Sequence, residues 1–249
     1  MNIAVCVKQV PDTETRIKLT DDFRAVNEEG INFILNPYDE FAVEEALKIR
    51  EAHGGEVTVI SLGPDRVVSA IRSALAMGAD KAIHIKADKN PTDPGIVAEA
   101  LATVLKEGNY DLIFLGKQAI DDDHTQMASL LAEKMQLPSV TVVVKLKIEG
   151  QRIIAEREID GAHEILECEM PAIIGAQRGL NEPRYASLKG IMKAKKTEIE
   201  TRELSLPEDQ LQIVGFEYPP QKSAGKIVGK NADAVPDLLK LLREEAKIL

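Results

Sequence analysis

Short runs of aliphatic and β-branched residues alternate with longer stretches of helical spacing through the first half of the chain. Residues 3–7, 57–62, 82–86 and 111–115 are apolar and bounded by turn residues, which predicts buried strands. The first helix opens at Asn36-Pro37, with Asn36 as N-cap and Pro37 at the first helical position. Asp39, Glu40, Glu44 and Glu45 fall in its early turns. Phe41, Val43, Ala46, Leu47 and Ile49 share one side of it, and His53-Gly54-Gly55 ends it. A second helix follows Gly63-Pro64-Asp65 and runs to Met77-Gly78. A third spans about Pro94 to Glu107, and a fourth follows Asp123 as its N-cap and reaches about Gln136. Strand and helix alternating four times predict an α/β fold: a doubly wound, mostly parallel sheet with flanking helices. Ligands of such sheets bind at the carboxyl ends of the strands, so the candidate loops are 8–15, 63–65, 87–94 and 116–124.

After residue 138 the texture changes. Val140–Ile148 and Arg152–Ile159 alternate in polarity around Glu149-Gly150-Gln151, predicting an antiparallel hairpin, and Ala172–Gly175 reads as a further strand. Leu188–Ala194 has helical spacing. Residues 200–230 carry Pro207, Pro219 and Pro220 with little periodicity and read as an extended arm, while 233–249 is amphipathic with Leu238, Leu239, Leu241 and Leu242 together. The expected division is therefore a nucleotide-binding α/β domain over 1–199 and an arm and helix over 200–249, packed on a partner chain.

Composition narrows the function. The 249 residues carry 41 acidic and 31 basic side chains, a formal net charge of −10, which argues against general nucleic-acid binding. The absence of tryptophan and the 4% aromatic content remove stacking platforms. No apolar run approaches the ~20 residues of a bilayer span, so no membrane insertion is expected. No signal or transit pattern stands at the amino terminus, and Cys6 and Cys168 form no ligand or disulfide spacing; both point to a reducing setting, the cytoplasm or a mitochondrial matrix.

The chemistry-bearing stretches are few. Gly116-Lys117-Gln118-Ala119-Ile120-Asp121-Asp122-Asp123-His124-Thr125-Gln126 leaves a strand and opens a helix, where free backbone N–H groups suit a phosphate. Helix capping on a solvated loop is the competing reading, and a Mg²⁺ site would need more than a run of acids. Asn36-Pro37-Tyr38-Asp39 is a helix start that would also offer N–H groups to a ribose or phosphate. Neither a Walker A nor a G-x-G-x-x-G sequence occurs. The four histidines lack metal spacing, and Cys6 lies in an apolar strand as a buried thiol; no catalytic residue and no metal site are expected. Leu188-Lys189-Gly190-Ile191-Met192-Lys193-Ala194-Lys195-Lys196 sets four lysines and no acid around Leu188, Ile191 and Met192, spaced i, i+3, i+4. That patch either packs on the domain's own core or anchors a partner, the lysines steering an acidic surface.

Cys-Val-Lys-Gln-Val-Pro-Asp at 6–12, Asn-Pro-Tyr-Asp-Glu-Phe-Ala-Val-Glu-Glu-Ala at 36–46, Ala-Leu-Ala-Met-Gly-Ala-Asp at 74–80, Gly-Lys-Gln-Ala-Ile-Asp-Asp-Asp at 116–123, Glu-Arg-Glu-Ile-Asp-Gly at 156–161 and the stretch 180–196 together resemble the beta subunit of electron-transferring flavoproteins. The motifs are collinear and cover essentially the whole chain. The resemblance implies a heterodimer with an alpha subunit that holds the FAD, moving electrons from acyl-CoA dehydrogenase-type donors of fatty acid oxidation to a quinone oxidoreductase-type acceptor. The beta subunit would carry a structural AMP. By the same resemblance, AMP would meet Cys6, Val7, Asn36, Pro37, Tyr38, Asp39, Gly116, Ala119, Asp121, Asp122, Asp123, Thr125 and Gln126. Leu188 would anchor a recognition loop over about 184–197, with Ile191, Met192, Lys193, Lys195 and Lys196 around it, and Glu158 would face the alpha subunit.

Two departures refine this. Many members have Thr-Gly where this chain has Met127-Ala128, which shifts the phosphate contact to Thr125 or Gln126. Electron-bifurcating members typically show Asp-Gly-Asp-Thr in the loop to admit a second FAD; here Asp122 takes the glycine position and would crowd a diphosphate, which favours AMP. The alternatives are such a bifurcating subunit and a stand-alone nucleotide-binding regulator of the stress-protein kind.

Overall fold

The computed structural model describes residues 1–221 and 224–249. Each predicted apolar run of the first half becomes a strand: β1 (Asn2–Cys6), β4 (Glu56–Gly63), β5 (Lys81–Lys86) and β6 (Leu112–Gly116). Between them lie α1 (Pro37–His53), α2 (Val68–Met77), α3 (Pro94–Glu107) and, after β6, α4 (Met127–Met135). Two short strands, β2 (Gln9–Pro11) and β3 (Phe33–Leu35), pair antiparallel outside the main sheet. The second half adds β7 (Ser139–Glu149), β8 (Arg152–Ile159), β9 (Ala162–Glu169), β10 (Ala172–Ala176), α5 (Leu188–Lys196) and β11 (Glu200–Glu203).

The main sheet is ordered β11-β5-β4-β1-β6-β10-β7-β8-β9, parallel from β11 to β7 and antiparallel from β7 to β9. Side-chain alternation splits its core into two layers. Ile3 and Val5 of β1 with Leu112 and Phe114 of β6 meet α1 and α2, including Val43, Leu47, Ile71 and Leu75. Ala4 and Cys6 with Ile113 and Leu115 meet α3 and α4, including Leu101, Leu105 and Leu131. Strands apolar on both faces are what a helix-covered parallel sheet requires.

Three details depart from expectation. The fourth helix begins at Met127, behind an N-cap, Gln126, that makes no side-chain hydrogen bond. Asp123 is thus not its N-cap: it sits in the left-handed region, φ 50°, and its carboxylate accepts from Gln118 Nε2. The predicted hairpin is a three-stranded ribbon, since Asp160-Gly161 turns the chain into β9, with Ile159 opposite Ala162. Of the stretch read as an extended arm, Glu200–Glu203 runs parallel to β5 as the sheet's outer strand.

The described chain divides into two compact units, Met1–Val214 and Gly215–Leu249. The second contains α6 (Val235–Glu244), whose Leu238 and Leu239 are both partly exposed. Among the described residues no helix is long and apolar enough to cross a membrane.

The end of β6 lies hard against the start of α1. A Cβ added at Gly116 would stand 2.5 Å from Asp39 Oδ1 and 2.7 Å from the backbone carbon of Tyr38. Gly116→Ala is therefore expected to cost about 1–3 kcal/mol through forced displacement of α1. Thermal unfolding of the purified protein measures this, and an unchanged melting temperature would show that the approach is not constrained.

Candidate functional site

The chain leaves β1 toward β4 and β5 on one side of the sheet and returns to β6 on the other, so the adjacent ends of β1 and β6 form a topological switch point. A cleft lies there. Leu62, Val97, Leu101 and Leu115 supply apolar wall, and Cys6, Val7 and Lys8 come from the end of β1. The 90–94 loop forms another wall, and Lys117, Gln118, Ala119, Asp122, His124, Thr125, Gln126 and Met127 form the last.

Asp39 ties the two strand ends together. Its Oδ2 accepts from Lys8 N at 2.7 Å and its Oδ1 from Gly116 N at 3.0 Å, while only 4% of the residue is exposed. Burial pushes its carboxyl up to about 7 against the pull of the N–H groups of Lys8 and Gly116. Asn36, expected as an N-cap, caps nothing with its side chain. It spans instead to the 116–126 loop, Nδ2 donating to Gln118 O at 2.9 Å and Oδ1 accepting from Ile120 N at 3.3 Å. The helix start and the loop are one construction, joined across 82 residues of sequence.

The aspartate run is divided by charge. Lys8 Nζ bonds Asp121 Oδ1 at 2.8 Å and Asp122 Oδ2 at 2.7 Å, and Asp123 turns away to Gln118. These acids do not converge as a Mg²⁺ site would need; among the described residues no group of three acidic, histidine or cysteine side chains is placed to hold a metal. Asp123 and Thr125 both have positive φ, 50° and 54°, a strained path for side-chain-bearing residues that delivers the chain to the uncapped start of α4. Uncapped N–H groups at a helix start, beside an apolar cleft, suit a phosphate with an attached base. Burial, with the charge of Asp39 adding to it, pushes the Cys6 thiol up to about 12, so it stays protonated and is no nucleophile.

Of the residues singled out from the sequence, Cys6, Val7, Asn36, Asp39, Gly116, Ala119, Asp122, Thr125 and Gln126 line this cleft. Pro37, Tyr38, Asp121 and Asp123 stand outside the lining. Pro37 occupies the first turn of α1, and Lys117 Nζ sits 5.3 Å above the ring of Tyr38. Lys8, Lys117 and the residues of the Asn90–Pro94 wall were not named individually as site residues, although the candidate loops 8–15, 87–94 and 116–124 contain them. Lys8 stood within the quoted 6–12 motif, and 87–94 was marked only by following the third strand, since nothing local in 90–94 says which side chains face a ligand.

A second feature lies on α5. Ser187 caps it, Oγ accepting from Gly190 N at 3.0 Å, and Ala194 is buried where α5 packs on α2. Gly190 permits the contact, because a Cβ there would lie 2.3 Å from Ala76 O. Arg72 reaches from α2 to the carbonyls of Ala194 and Thr197. With that inner face spent, Leu188 is 84% and Met192 58% exposed, Ile191 is also exposed, and Lys193, Lys195 and Lys196 surround them. The patch does not pack on the domain's own core. The loop before it is clamped to α1: Arg184 makes ion pairs to Glu44 at 2.8 Å and Glu51 at 2.5 Å, and Asn181 Nδ2 donates to Glu45 Oε2 at 2.9 Å. Glu158 lies at the exposed end of β8, where its carboxylate accepts from Gln177 Nε2 at 3.3 Å.

Comparison with known proteins agrees with this architecture. Residues 24–207 match the family model of the electron transfer flavoprotein domain. The chain is 39% identical to the electron transfer flavoprotein subunit beta of Bacillus subtilis over 259 aligned positions covering all of both chains. It is 41% identical to that of Syntrophomonas wolfei, covering 90% of this chain and 88% of the relative. With the human subunit it shares 39%, covering 98% of each.

Asp39 yields a pH signature. Its carboxyl titrates at about 7 in the folded chain against 3.8 in the open one. Between those values the folded state holds a proton that the unfolded state has lost, so this group's contribution to stability falls as pH rises through the window. Asp39→Asn removes the titration. The melting temperature of the variant relative to the parent is expected to climb as pH rises from about 5 to 7 and to level off above. A difference that stays flat across pH would show that Asp39 is ionised throughout.

Proposed function

Because this chain belongs to the electron transfer flavoprotein family as its beta subunit, we propose that it serves electron transfer by seating AMP in the cleft between β1 and β6. In the same reading it helps an alpha subunit complete an FAD site and docks dehydrogenases through α5. The observation that carries the first part is the cleft itself: apolar walls that suit an adenine, opening on the strained 123–126 turn and the uncapped start of α4, which suit a phosphate. Backbone N–H groups do the recognition, which accounts for the missing glycine fingerprints. Thr125 and Gln126, both in the cleft lining, would make the phosphate contact.

The flavin supplies the redox chemistry, and this chain supplies binding and electrostatics. The nucleotide acts as a structural filler, and the chain is an electron-carrier subunit without catalytic residues of its own. AMP is favoured over a second FAD because Lys8 draws Asp121 and Asp122 together beside the cleft, and the Asp122 side chain occupies lining space that a second phosphate would need. Mass spectrometry of small molecules released from the denatured alpha–beta complex tests this. One FAD and one AMP per complex are expected, and two FAD would establish the bifurcating alternative.

The exposed patch on α5 supports docking. A Leu and a Met raised from a rigid helix and ringed by lysines suit an apolar pocket with an acidic rim, of the kind an acyl-CoA dehydrogenase-type donor would offer. Glu158, exposed on the β7–β9 ribbon, would pair with a basic residue of the alpha subunit, and 200–249 would pack on that subunit. Leu188→Ala is expected to slow electron acceptance from a dehydrogenase about tenfold at low concentration, as loss of a hot-spot anchor worth ~1.4 kcal/mol does. FAD and AMP contents should stay unchanged. Unaltered second-order transfer kinetics would remove the anchor role.

A further inference from the structure

The wall of the cleft formed by residues 90–94 is held by chain far away in sequence. After β11 the backbone passes the end of β5 and reaches Asp209, whose carboxylate bonds the 90–94 loop. Asp209 Oδ2 accepts from Thr92 Oγ1 at 2.9 Å and from Thr92 N at 3.3 Å, and Oδ1 accepts from Asp93 N at 3.4 Å. The contact is reciprocated: Gln210 N donates to Asp93 Oδ2 at 3.3 Å. The other oxygen of Asp93 caps α3, accepting from Gly95 N at 2.8 Å. Asp93 therefore ties the first turn of α3 to residue 210 through one carboxylate.

At its far end the wall runs into α3, where Asp93 O accepts from Ile96 N at 3.1 Å and Val97 N at 3.2 Å. Pro91 and Pro94 have no N–H to donate, and Asn90, Pro91, Thr92 and Pro94 face the cleft and not the sheet's ladders. An acceptor with two oxygens at 209 answers three donors of the loop at once, which neither a hydroxyl nor an amide would do. Only a few residues beyond Gln210, the first compact unit ends at Val214.

We propose that Asp209 is a positioning residue for the nucleotide cleft: by holding Thr92 and Asp93 it keeps the 90–94 wall closed on bound AMP, so that nucleotide retention depends on the segment after β11. The inference rests on the AMP reading above. It assigns to the chain after residue 204 a role inside this subunit, in addition to any contact with a partner.

The test is release of radiolabelled AMP from the purified alpha–beta complex carrying wild-type chain, Asp209→Ala or Asp209→Asn. Asp209→Ala is expected to release AMP about tenfold faster. Asp209→Asn, which keeps one acceptor oxygen, should fall between it and wild type. FAD content and melting temperature of the FAD-loaded complex should match wild type, a separation that general loss of structure would not give. If Asp209→Ala fails to assemble, the Asp209→Asn rate decides. Equal release from wild type and Asp209→Asn, with Asp209→Ala equal or unassembled, overturns the positioning role and leaves the AMP reading standing. A wild-type complex that binds no AMP overturns the reading beneath it.

Discussion

A single buried carboxylate sits where the fold and the candidate site meet. Parallel strands end in backbone N–H groups that the next element must satisfy, and at a switch point the helices on either side lead away from each other. Asp39 answers Lys8 N and Gly116 N together, which sets the separation of the ends of β1 and β6 and hence the width of the cleft. The arrangement needs a glycine at 116, since any Cβ would occupy the carboxylate's place. It also draws on α1 beginning at Pro37, which puts Asp39 in the first turn within reach of both strand ends. Taking such a group out of water is unfavourable unless it is hydrogen-bonded, and both of its oxygens are.

The same helix links the two functional faces. Its first turn carries Asp39 and follows Asn36, which shape the cleft. Glu44 and Glu45, between one and two turns later, and Glu51, about three turns later, receive Asn181 and Arg184 and so fix the approach to α5. Arg184 divides its guanidinium between two carboxylates in fork geometry, a stiffer hold than a lysine would give. An exposed Leu188 is useful as an anchor only if its helix is presented rigidly, because ordering it on contact would cost binding free energy. Gly190 against Ala76 and Arg72 against the last carbonyls of α5 complete that rigidity.

Charge in the cleft follows one pattern. An acidic chain offers an anion little attraction, and three consecutive aspartates would repel it. Lys8 takes up two of them and Gln118 the third, so the helix start and Lys117 are left as electropositive features at the cleft. The acids then work as loop staples.

Alternating apolar runs and caps determined the order of strands and helices, because the residues that bury a parallel strand or start a helix act through near neighbours. Asn36-Pro37, Gly63-Pro64 and the apolar runs needed no tertiary information. Asp160-Gly161 carries a local turn signal that the hairpin reading left unused, and Glu-rich β9 hides its strand because its outer face buries little apolar surface. What tertiary structure alone decided are relations between distant residues: Asn36 capping the 116–120 loop in place of its own helix, Lys8 dividing the aspartates, Asp209 holding Thr92, and the face that α5 turns to solvent. Each is a hydrogen bond or contact whose partners lie dozens of residues or more apart, and local pattern carries no record of which donor a carboxylate meets once the sheet has closed.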